Sequence, residues 1–355
     1  MIRVLALLPY PTDRAPGQRY RIEQWAPFLS REGVHVTLST FLSPRGMEVL
    51  YEPGYAAVKT REMLRGYLKR YIEAVRPVSA DVIFVYREAA LLGPAWIERL
   101  LALRRPLVFD FDDAIYLADT SHANAWSRPF KSRRKAETIC RMARHVTVGN
   151  EFLARYARDR AREVSVIPST IDTEVYQVHP REPNRVPIVG WTGSVTTAPY
   201  LMALAPALRR LREKHLFELR VIGAQVHIEG LTVHCIPWRA ETEPDDLRPL
   251  DVGLMPLPDD EWSRGKCGMK ALQYMALGVP PVVSPVGVNA TIVRDGMNGF
   301  HASVDDEWIG RIGLLLEDEA RRLRLGQEAR SSVEQSYSAR AHAPRLATIL
   351  REAAA

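Results

Sequence analysis

Short apolar segments typical of buried β-strands alternate with amphipathic helical segments along this chain, and this alternation restricts the fold more than any other feature. A strand and a helix that repeat in this way form the parallel layers of an α/β protein. The strand candidates are Arg3–Leu8, His35–Ser39, Val82–Tyr86, Leu107–Phe111, His145–Val148, Ser165–Ile167, Ile188–Thr192, Glu218–Ile222, Thr232–Cys235, Val252–Pro256 and Pro281–Ser284. The clearest helix candidates are Tyr20–Glu32, Val58–Val75, Ala89–Leu103 and Lys131–Arg144. We therefore predict an α/β fold with parallel sheets.

The chain has 355 residues, which is too long for one ordinary core and suits two domains. Its strands and helices fall into two series, separated by the proline-rich segment Val178–Pro187, whose composition is that of a linker. A last helical pattern, Ala339–Ala353, ends the chain. We place one Rossmann-like domain at residues 1–180, a second at 181–337 and a terminal helix at 338–355.

Composition restricts the class of protein and its partners. Hydrophobic residues make up 46% and charged residues 25% of the chain, as in folded soluble proteins. The net charge of +6 favours anionic partners such as nucleotide diphosphates and lipid phosphates. Nucleic acid is a weaker choice, because the sequence shows no helix-turn-helix, zinc or aromatic RNA-binding pattern. The three cysteines have neither metal-binding nor paired spacing, and the apolar N-terminus ends at Pro9, too early for a signal peptide or a membrane span, so we expect a cytoplasmic protein.

The segment Gly265–Ser284 combines a basic glycine-containing loop, a short helix and an apolar strand. Gly265 and Gly268 allow the backbone to approach a ligand, and Lys266 and Lys270 supply positive charge. The helix would start near Met269 with its N-terminal amides facing the loop, an arrangement that binds anions. The segment therefore predicts a phosphate-binding junction.

Together with Pro285–Phe300, this segment resembles the donor-binding region of the retaining nucleotide-sugar glycosyltransferases of family 4, in a branch typical of bacterial polysaccharide synthesis. The resemblance implies the GT-B architecture: two Rossmann-like domains with an interdomain cleft, the donor on the second domain, the acceptor on the first, and a C-terminal helix that packs back on the first. It also implies retention at the anomeric carbon, and no metal or cofactor besides the nucleotide-diphosphate sugar that serves as co-substrate. Predicted donor-binding residues here are Lys266, Cys267, Gly268, Met269, Lys270 and Gln273.

Both glutamates of the family signature are replaced in this chain. Gln273 occupies the position of the glutamate that contacts the ribose hydroxyls, and Gly265 that of the glutamate that contacts the donor sugar. An amide can still donate and accept hydrogen bonds to a ribose diol. Lys266 is the nearest side chain able to compensate for the loss at Gly265, and we predict that it acts in catalysis.

The loop after the first strand is the next candidate site. Gly17 lies just before a helix, and Arg19 and Arg21 enter it. Ligands bind at the carboxyl edge of open α/β sheets. In the family that the chain resembles, a glycine-containing loop here lies near the donor phosphates and the acceptor, and the resemblance implies that Gly17 contacts the donor and that Arg19 and Arg21 contact the acceptor. Solvated arginines are the competing interpretation: it is preferred for Arg14, and Arg21 could equally pair with a downstream acid at the surface.

Three carboxylates, Asp110, Asp112 and Asp113, crowd the end of the fourth strand candidate. Their burial in ionised form requires compensation by arginine, helix amides, a cation or substrate hydroxyls. The run resembles one in the polysaccharide branch of the family, where the resemblance implies contact with the donor sugar. We predict catalytic roles for Asp112 and Asp113 and a structural role for Asp110. Two alternatives are that Asp113 caps a following helix and that the cluster binds a divalent metal.

The turn that opens the second series contains Gly193 and Ser194, which resemble the diphosphate-binding turn of the donor domain. The Arg and Lys that follow this turn in many family members are absent here, and Arg264, Lys266 and Lys270 are the candidate replacements. Trp238 follows a strand where the family borders the nucleobase. It either stacks on the base or fills a gap between helix and sheet.

We predict a hexosyltransferase that uses a nucleotide-diphosphate sugar and a sugar or lipid-linked acceptor in polysaccharide or glycoconjugate synthesis. The alternatives are a non-catalytic sugar-nucleotide-binding protein and an epimerase on the same fold. A basic helical stretch from Lys59 to Arg76, which also carries an apolar stripe, suggests peripheral contact with the inner membrane. The competing interpretation is that this stripe packs on the domain core.

Overall fold

The computed structural model describes residues 1–50, 52–76, 79–117, 134–180 and 182–355. The chain divides into two compact units, Met1–Ser169 with His342–Ala355, and Thr170–Ala341. The first division lies before the predicted 180/181 boundary. The reason is that Ile171 pairs with Ser338 in an isolated bridge and Tyr176 donates a hydrogen bond to Glu243, so this segment belongs to the second unit.

The first unit contains a six-stranded parallel sheet with strand order β2-β1-β3-β4-β5-β6. The strands are β1 (Ile2–Leu8), β2 (Val34–Thr40), β3 (Val82–Tyr86), β4 (Leu107–Phe111), β5 (His145–Val148) and β6 (Val164–Val166). Its helices are α1 (Pro16–Gln18), α2 (Ala26–Arg31), α3 (Pro44–Leu50), α4 (Ala56–Val75), α5 (Trp96–Ala102), α6 (Lys135–Met142) and α7 (Glu151–Arg158), with a π-helical turn at Arg19–Glu23.

The second unit contains another six-stranded parallel sheet, with order β12-β11-β10-β7-β8-β9. The strands are β7 (Ile188–Thr192), β8 (Glu218–Ile222), β9 (Val233–Ile236), β10 (Val252–Met255), β11 (Pro281–Val283) and β12 (Phe300–His301). The helices are α8 (Ala198–Met202), α9 (Ala205–Lys214), α10 (Glu243–Leu247), α11 (Glu261–Arg264), α12 (Met269–Ala276), α13 (Asn289–Ile292), α14 (Asp305–Glu317) and α15 (Glu319–Ser336).

Each sheet has a point where the strand order reverses. In the first unit it lies between β1 and β3, and in the second between β7 and β10. Successive crossovers leave such a pair of strands in opposite directions, so a crevice opens beyond their carboxyl ends, where open α/β sheets bind ligands. The loops that follow β1, β3, β7 and β10 are therefore the places to look for a site.

The C-terminal helix α16 (Ala339–Ala354) returns to the first unit, as the predicted architecture requires. Its Leu346 and Leu350 join the core cluster formed by Val4, Ala6 and Trp25. These side chains are almost completely buried, which makes the helix an integral part of that core. The predicted two-domain α/β fold with a crossover helix is confirmed.

Every predicted strand is present, and the predicted helices are shortened where local residues oppose them. The candidate Ala89–Leu103 is helical only from Trp96, because Gly93 has a φ of 73° and Pro94 follows it. The candidate Tyr20–Glu32 divides into the π-helical turn and α2. The candidate Lys131–Arg144 starts outside the described residues, and its described part is α6. No helix within the described ranges is both long and apolar enough to cross a membrane.

Candidate functional site

The loop after β1 reaches the carboxyl ends of β3 and β4, beside the reversal point of the first sheet. A β-carbon placed on Gly17 would lie 2.5 Å from Tyr86 Oη and 2.9 Å from Asp112 Oδ2. A β-carbon does not come that close to an atom to which it is not bonded, so no larger residue fits at position 17 without moving this cluster. Glycine is therefore required here for close approach to Tyr86 and Asp112.

Asp112 is buried and accepts hydrogen bonds from two side chains of the neighbouring strand end. Its Oδ1 accepts hydrogen bonds from Tyr86 Oη and Arg87 Nε, both at 2.9 Å. Burial opposes ionisation, but the nearby charges of Arg87 and Arg21 and the hydrogen bonds from Arg87 and Tyr86 outweigh it, so the pKa of Asp112 lies below its ordinary value. Asp112 is therefore a buried, ionised carboxylate at the carboxyl edge of the sheet.

Arg87 joins the two predicted catalytic aspartates, and the sequence analysis missed it. Its guanidinium lies 2.7 Å from Asp112 Oδ1 and also donates to Asp113 Oδ2. Its φ of 58° is left-handed, an uncommon and costly conformation for a residue with a side chain. The available signal was its place directly after β3, at the carboxyl edge. The described residues after Asp113 form a turn, so the ion pair with Arg87 replaces the predicted helix cap.

Asp110 forms a buried ion pair that corrects the prediction for Arg21. Arg21 Nε donates to Asp110 Oδ2 at 3.0 Å, and its other nitrogens donate to Asp110 Oδ1 and the Ile167 carbonyl. Thr147 donates to the same carboxylate at 2.6 Å. Burial raises the pKa of Asp110, while Arg21 and Thr147 lower it. Because its guanidinium is buried and engaged, Arg21 supports the sheet end and is not placed to contact an acceptor.

Arg19 lies at the surface of the same loop, half-buried. Its guanidinium stands 5.3 Å from the centre of the Tyr20 ring, and its Nε lies 3.8 Å from Asp13. The loop itself is fixed by Gln18, which accepts from the Tyr10 amide and donates to the Tyr10 carbonyl. Arg19 is thus held at the loop that Gly17 brings to Asp112, and its acceptor role stays a prediction.

Guanidinium groups face the three aspartates. Arg21 pairs with Asp110, and Arg87 pairs with both Asp112 and Asp113. Within the ranges that the structure describes, no group of three or more His, Cys, Asp or Glu is arranged to hold a metal ion. Arginine is the compensation present at this cluster.

The turn after β7 lies at the reversal point of the second sheet, and it corrects one predicted donor contact. The Gly193 amide donates to the Ile222 carbonyl at 2.9 Å and so belongs to the sheet ladder rather than facing a ligand. The Ser194 amide donates to Thr197 Oγ1, while the exposed Ser194 hydroxyl pairs with Thr196. The expected diphosphate contact from the Gly193 amide is therefore not supported, and the Ser194 hydroxyl remains the candidate at this turn.

Lys270 lies next to this turn, although it belongs to α12. Its Nζ stands 5.5 Å from the centre of the Trp191 ring, and a β-carbon on Gly193 would lie 2.4 Å from the same ring. The half-buried side chain thus follows the sheet edge rather than pointing straight to solvent. Lys266 Nζ lies 5.3 Å from the Trp262 ring centre. Lys270 supplies positive charge near the Gly193–Ser194 turn, where the residues after β7 have none.

The N-terminus of α12 has the geometry expected from the sequence. Gly268 is the N-cap with a φ of 72°, and a β-carbon there would lie 2.3 Å from Ile292 Cδ1. Cys267 and Gly268 are buried, while Met269 is half-buried. Arg264, another candidate for the missing charge, is neutralised by Asp259 through contacts at 2.7 Å and 3.1 Å. The lysines thus remain as the candidate cations of this segment.

Gln273 belongs to a buried polar cluster whose centre is Glu243, a residue that the sequence analysis did not identify. Gln273 Nε2 and Trp238 Nε1 each donate to Glu243 Oε1 at 2.7 Å, and Tyr176 Oη donates to Oε2 at 2.6 Å. Glu243 is only 2% exposed. The hydrogen bond from Nε1 holds the Trp238 indole by its edge. The cluster also explains the amide at position 273, because a glutamate there would place a second carboxylate against Glu243.

A family of known proteins matches the part of the chain that contains the Gly193–Ser194 turn and α12. Residues 186–318, all within the second unit, match the model of the family described as glycosyl transferases group 1. No curated protein sequence matches the chain. This stretch of the second unit is therefore similar to the group 1 glycosyltransferase domain, and it includes the predicted donor residues from Gly193 to Gln273.

Solved structures resemble the whole chain. Sucrose-phosphate synthase from Thermosynechococcus elongatus has a TM-score of 0.71 at 16% identity, with 99% of this chain and 98% of that chain covered. HepE from Anabaena, in complex with UDP and glucose, has a TM-score of 0.71 at 16% identity, with 99% and 100% covered. The lipopolysaccharide outer core galactosyltransferase WaaB has a TM-score of 0.62 at 12% identity, with 99% and 100% covered. These similarities show the GT-B fold.

Replacement of Arg87 tests the aspartate cluster. We expect Arg87→Gln to lower the free energy of unfolding at neutral pH by about 2 to 3 kcal/mol, because two carboxylates lose a partly buried partner. The pKa of Asp112 is lowered in the folded protein, so its stabilising effect is present above the ordinary carboxyl range and is lost as pH falls. The difference between wild type and variant, measured by urea unfolding, should therefore shrink below pH ~4. A difference that does not change with pH would remove Asp112 from this explanation.

The cluster around Glu243 makes a second prediction. Gln273→Glu should destabilise the second unit by about 2 to 4 kcal/mol at neutral pH, because two buried carboxylates meet at hydrogen-bond distance. One of them would take a raised pKa, so the variant should regain stability as pH falls. The double exchange Glu243→Gln with Gln273→Glu restores one amide and one carboxylate. It should recover most of the loss in thermal unfolding, and a double variant no more stable than Gln273→Glu would contradict this pairing.

Proposed function

We propose that this protein is a glycosyltransferase that moves a hexose from a nucleotide-diphosphate sugar to an acceptor. The observation that carries the proposal is the position of two lysines at the N-terminus of α12: Lys270 lies in its first turn, near the Gly193–Ser194 turn, and Lys266 lies two residues before its N-cap. A helix N-terminus and two ammonium groups at the carboxyl edge of a parallel sheet favour a diphosphate. The group 1 match over the same residues supports a sugar nucleotide as the ligand.

The chemistry of transfer assigns a task to these cations. The bond between the anomeric carbon and the diphosphate oxygen breaks while the acceptor oxygen attacks the anomeric carbon. Negative charge grows on the departing diphosphate, so positive groups fixed in advance stabilise the transition state more than the ground state. Lys266 and Lys270 would carry this part of catalysis. We propose that the reaction proceeds with retention, as in family 4, with departure and attack on the same face of the sugar.

The first unit would contribute carboxylates to sugar recognition. Asp112 and Asp113 are fixed by Arg87, and Asp112 is also fixed by Tyr86, at the edge that Gly17 closely approaches. Ionised carboxylates accept hydrogen bonds from sugar hydroxyls and support positive charge at an anomeric carbon. We assign Asp112 and Asp113 to this role, and Gln273 to the ribose hydroxyls. Trp238, held edge-on by Glu243, is left for the nucleobase.

We further propose that the acceptor is a lipid-linked sugar of polysaccharide or glycoconjugate synthesis, reached by peripheral contact of a cytoplasmic protein with the inner membrane. No metal or other cofactor is required in this proposal, because lysines and helix amides already provide positive potential for the diphosphate. HepE has been solved in complex with UDP and glucose and in complex with UDP-glucose, and these complexes support a nucleotide sugar here.

A donor screen tests the function. UDP-, GDP- and dTDP-sugars are added singly, and the thermal unfolding temperature is measured with and without EDTA. One donor class should raise it in both conditions and should then be consumed only when an acceptor is present. Binding without turnover in any acceptor mixture would indicate a non-catalytic sugar-nucleotide-binding protein, and donor conversion without acceptor would indicate an epimerase. Loss of turnover on chelation with recovery on addition of Mn²⁺ or Mg²⁺ would contradict metal independence.

Lys266→Ala tests the catalytic cation. We expect kcat to fall roughly a hundredfold with little change in unfolding temperature, because the lost charge acts on the departing diphosphate. Lys214→Ala removes an exposed lysine from α9 in the same unit and serves as the matched control. Equal rates for the two variants would show that Lys266 takes no part in the reaction.

A further inference from the structure

Two neighbouring helices of the first unit expose large apolar side chains on their outer faces. On α4, Leu64, Leu68, Tyr71 and Val75 are 40–66% exposed. On α5 and its C-cap, Trp96, Leu100 and Leu103 are 38–84% exposed. Both sets repeat at the spacing of one helix face, and the opposite faces provide the contacts with the unit. We refer to these seven side chains as the α4–α5 surface.

The two stripes adjoin one another. A β-carbon on Gly93 would lie 3.3 Å from Trp96 Nε1 and 3.4 Å from Tyr67 Oη, so the indole borders α4 at Tyr67. Tyr67 itself is held inward by a hydrogen bond to the Leu92 carbonyl and by an edge-on contact with Phe41. Its helix neighbours Leu64, Leu68 and Tyr71 therefore continue the apolar surface from α5 onto α4.

The exposed charged side chains of these two helices are cations, one of which, Arg65, also pairs with the buried Glu62 at 3.6 Å. The exposed side chains Arg61 and Arg65 each lie three residues before a stripe leucine, and Lys69, Arg76, Arg99, Arg104 and Arg105 are also exposed. Of the acids on these two fully described helices, Glu62 and Glu98 are buried, and Glu73 pairs with the buried Arg70. An apolar face bordered by cations, with its carboxylates withdrawn or paired, complements an anionic lipid surface.

Two cations of the predicted basic helix are not available for contact with a membrane. Lys59 and Arg70 are buried: Lys59 donates to the Glu52 carbonyl, and Arg70 donates to the carbonyls of Leu8, Ser39 and Ala89. These two cations hold the unit together and cannot reach a membrane. In their place, α5 and the residues after it supply exposed cations, although the sequence did not connect this helix with membrane contact.

We propose that the α4–α5 surface is where this protein docks on an anionic membrane. Trp96 and Tyr71 have the amphipathic side chains that favour the headgroup region, the leucines enter the acyl boundary, and the arginines pair with lipid phosphates. The proposal specifies the membrane contact assumed under the proposed function. It does not depend on sugar transfer, because vesicle binding is measured without donor or acceptor.

Vesicle sedimentation tests the proposal with the full chain. Wild type should pellet with vesicles of equimolar phosphatidylcholine and phosphatidylglycerol, less with phosphatidylcholine alone, and less again as salt is raised. Leu68→Glu with Leu103→Glu should reduce the bound fraction at least about tenfold, and so should Arg61→Gln with Arg99→Gln. These positions are exposed, so unfolding temperatures should stay unchanged.

Matched controls lie on the second unit. Leu216→Glu with Leu323→Glu makes the same change at two exposed leucines, and Arg209→Gln with Lys214→Gln removes two exposed cations. Both controls should bind vesicles like wild type. Equal loss in the controls, or no binding by wild type, would overturn the proposal. Sedimentation velocity tests whether a second copy of the chain occupies this surface instead. If the wild type is a dimer that does not bind vesicles, and Leu68→Glu with Leu103→Glu dissociates this dimer, the proposal is also overturned.

Discussion

The site geometry of the second unit depends on one buried hydroxyl. Tyr274 Oη accepts a hydrogen bond from the Thr192 amide at 2.9 Å and donates to the Leu254 carbonyl at 3.2 Å, so it joins the ends of β7 and β10. Its ring fits because Gly253 has no side chain: a β-carbon there would lie 2.3 Å from Tyr274 Cδ2. Burial raises the pKa of Tyr274 and keeps the hydroxyl protonated as a donor. This contact sets how close α12 comes to the sheet, and the positions of Gly268, Lys270 and Gln273 follow from it.

The first unit uses charge pairing for the same purpose. Asp110 is held by Arg21 below the site, and Asp112 and Asp113 are held by Arg87 at its edge. Breaking a buried pair costs more than the pair gains over an apolar replacement, so such pairs fix positions rather than add stability. The left-handed backbone at Arg87 fits that interpretation, because strain is retained where the surroundings hold a residue in place.

The fold could be predicted from the sequence because buried parallel strands are short, continuous apolar segments, and these segments alternate regularly with helical ones. The short β12 was missed, since two residues have no period. The sequence also predicted which candidate residues lie at the carboxyl edges of the sheets: Gly17 follows β1 and Asp112 follows β4. Partners were not predictable: which arginine meets Asp110, or that Glu243 meets Gln273, depends on tertiary contacts between segments far apart in the chain. The Gly193 amide was misjudged because its use in the β7–β8 ladder appears only once strands are paired.

The net positive charge of the chain illustrates why composition alone is a weak guide to partners. Arg21 and Arg70 are buried inside the first unit, where each guanidinium donates hydrogen bonds to a carboxylate and to backbone carbonyl oxygen. Other cations, such as Arg264, are neutralised at the surface by neighbouring acids, and such exposed pairs contribute little to stability. The cations that matter for an anionic ligand are those placed beside apolar or backbone groups that favour the same ligand. Lys270 meets this condition at the sheet edge near Ser194, and Arg61 meets it beside Leu64. The two proposed anionic partners, a diphosphate and a lipid surface, would therefore each be bound by cations of a different unit.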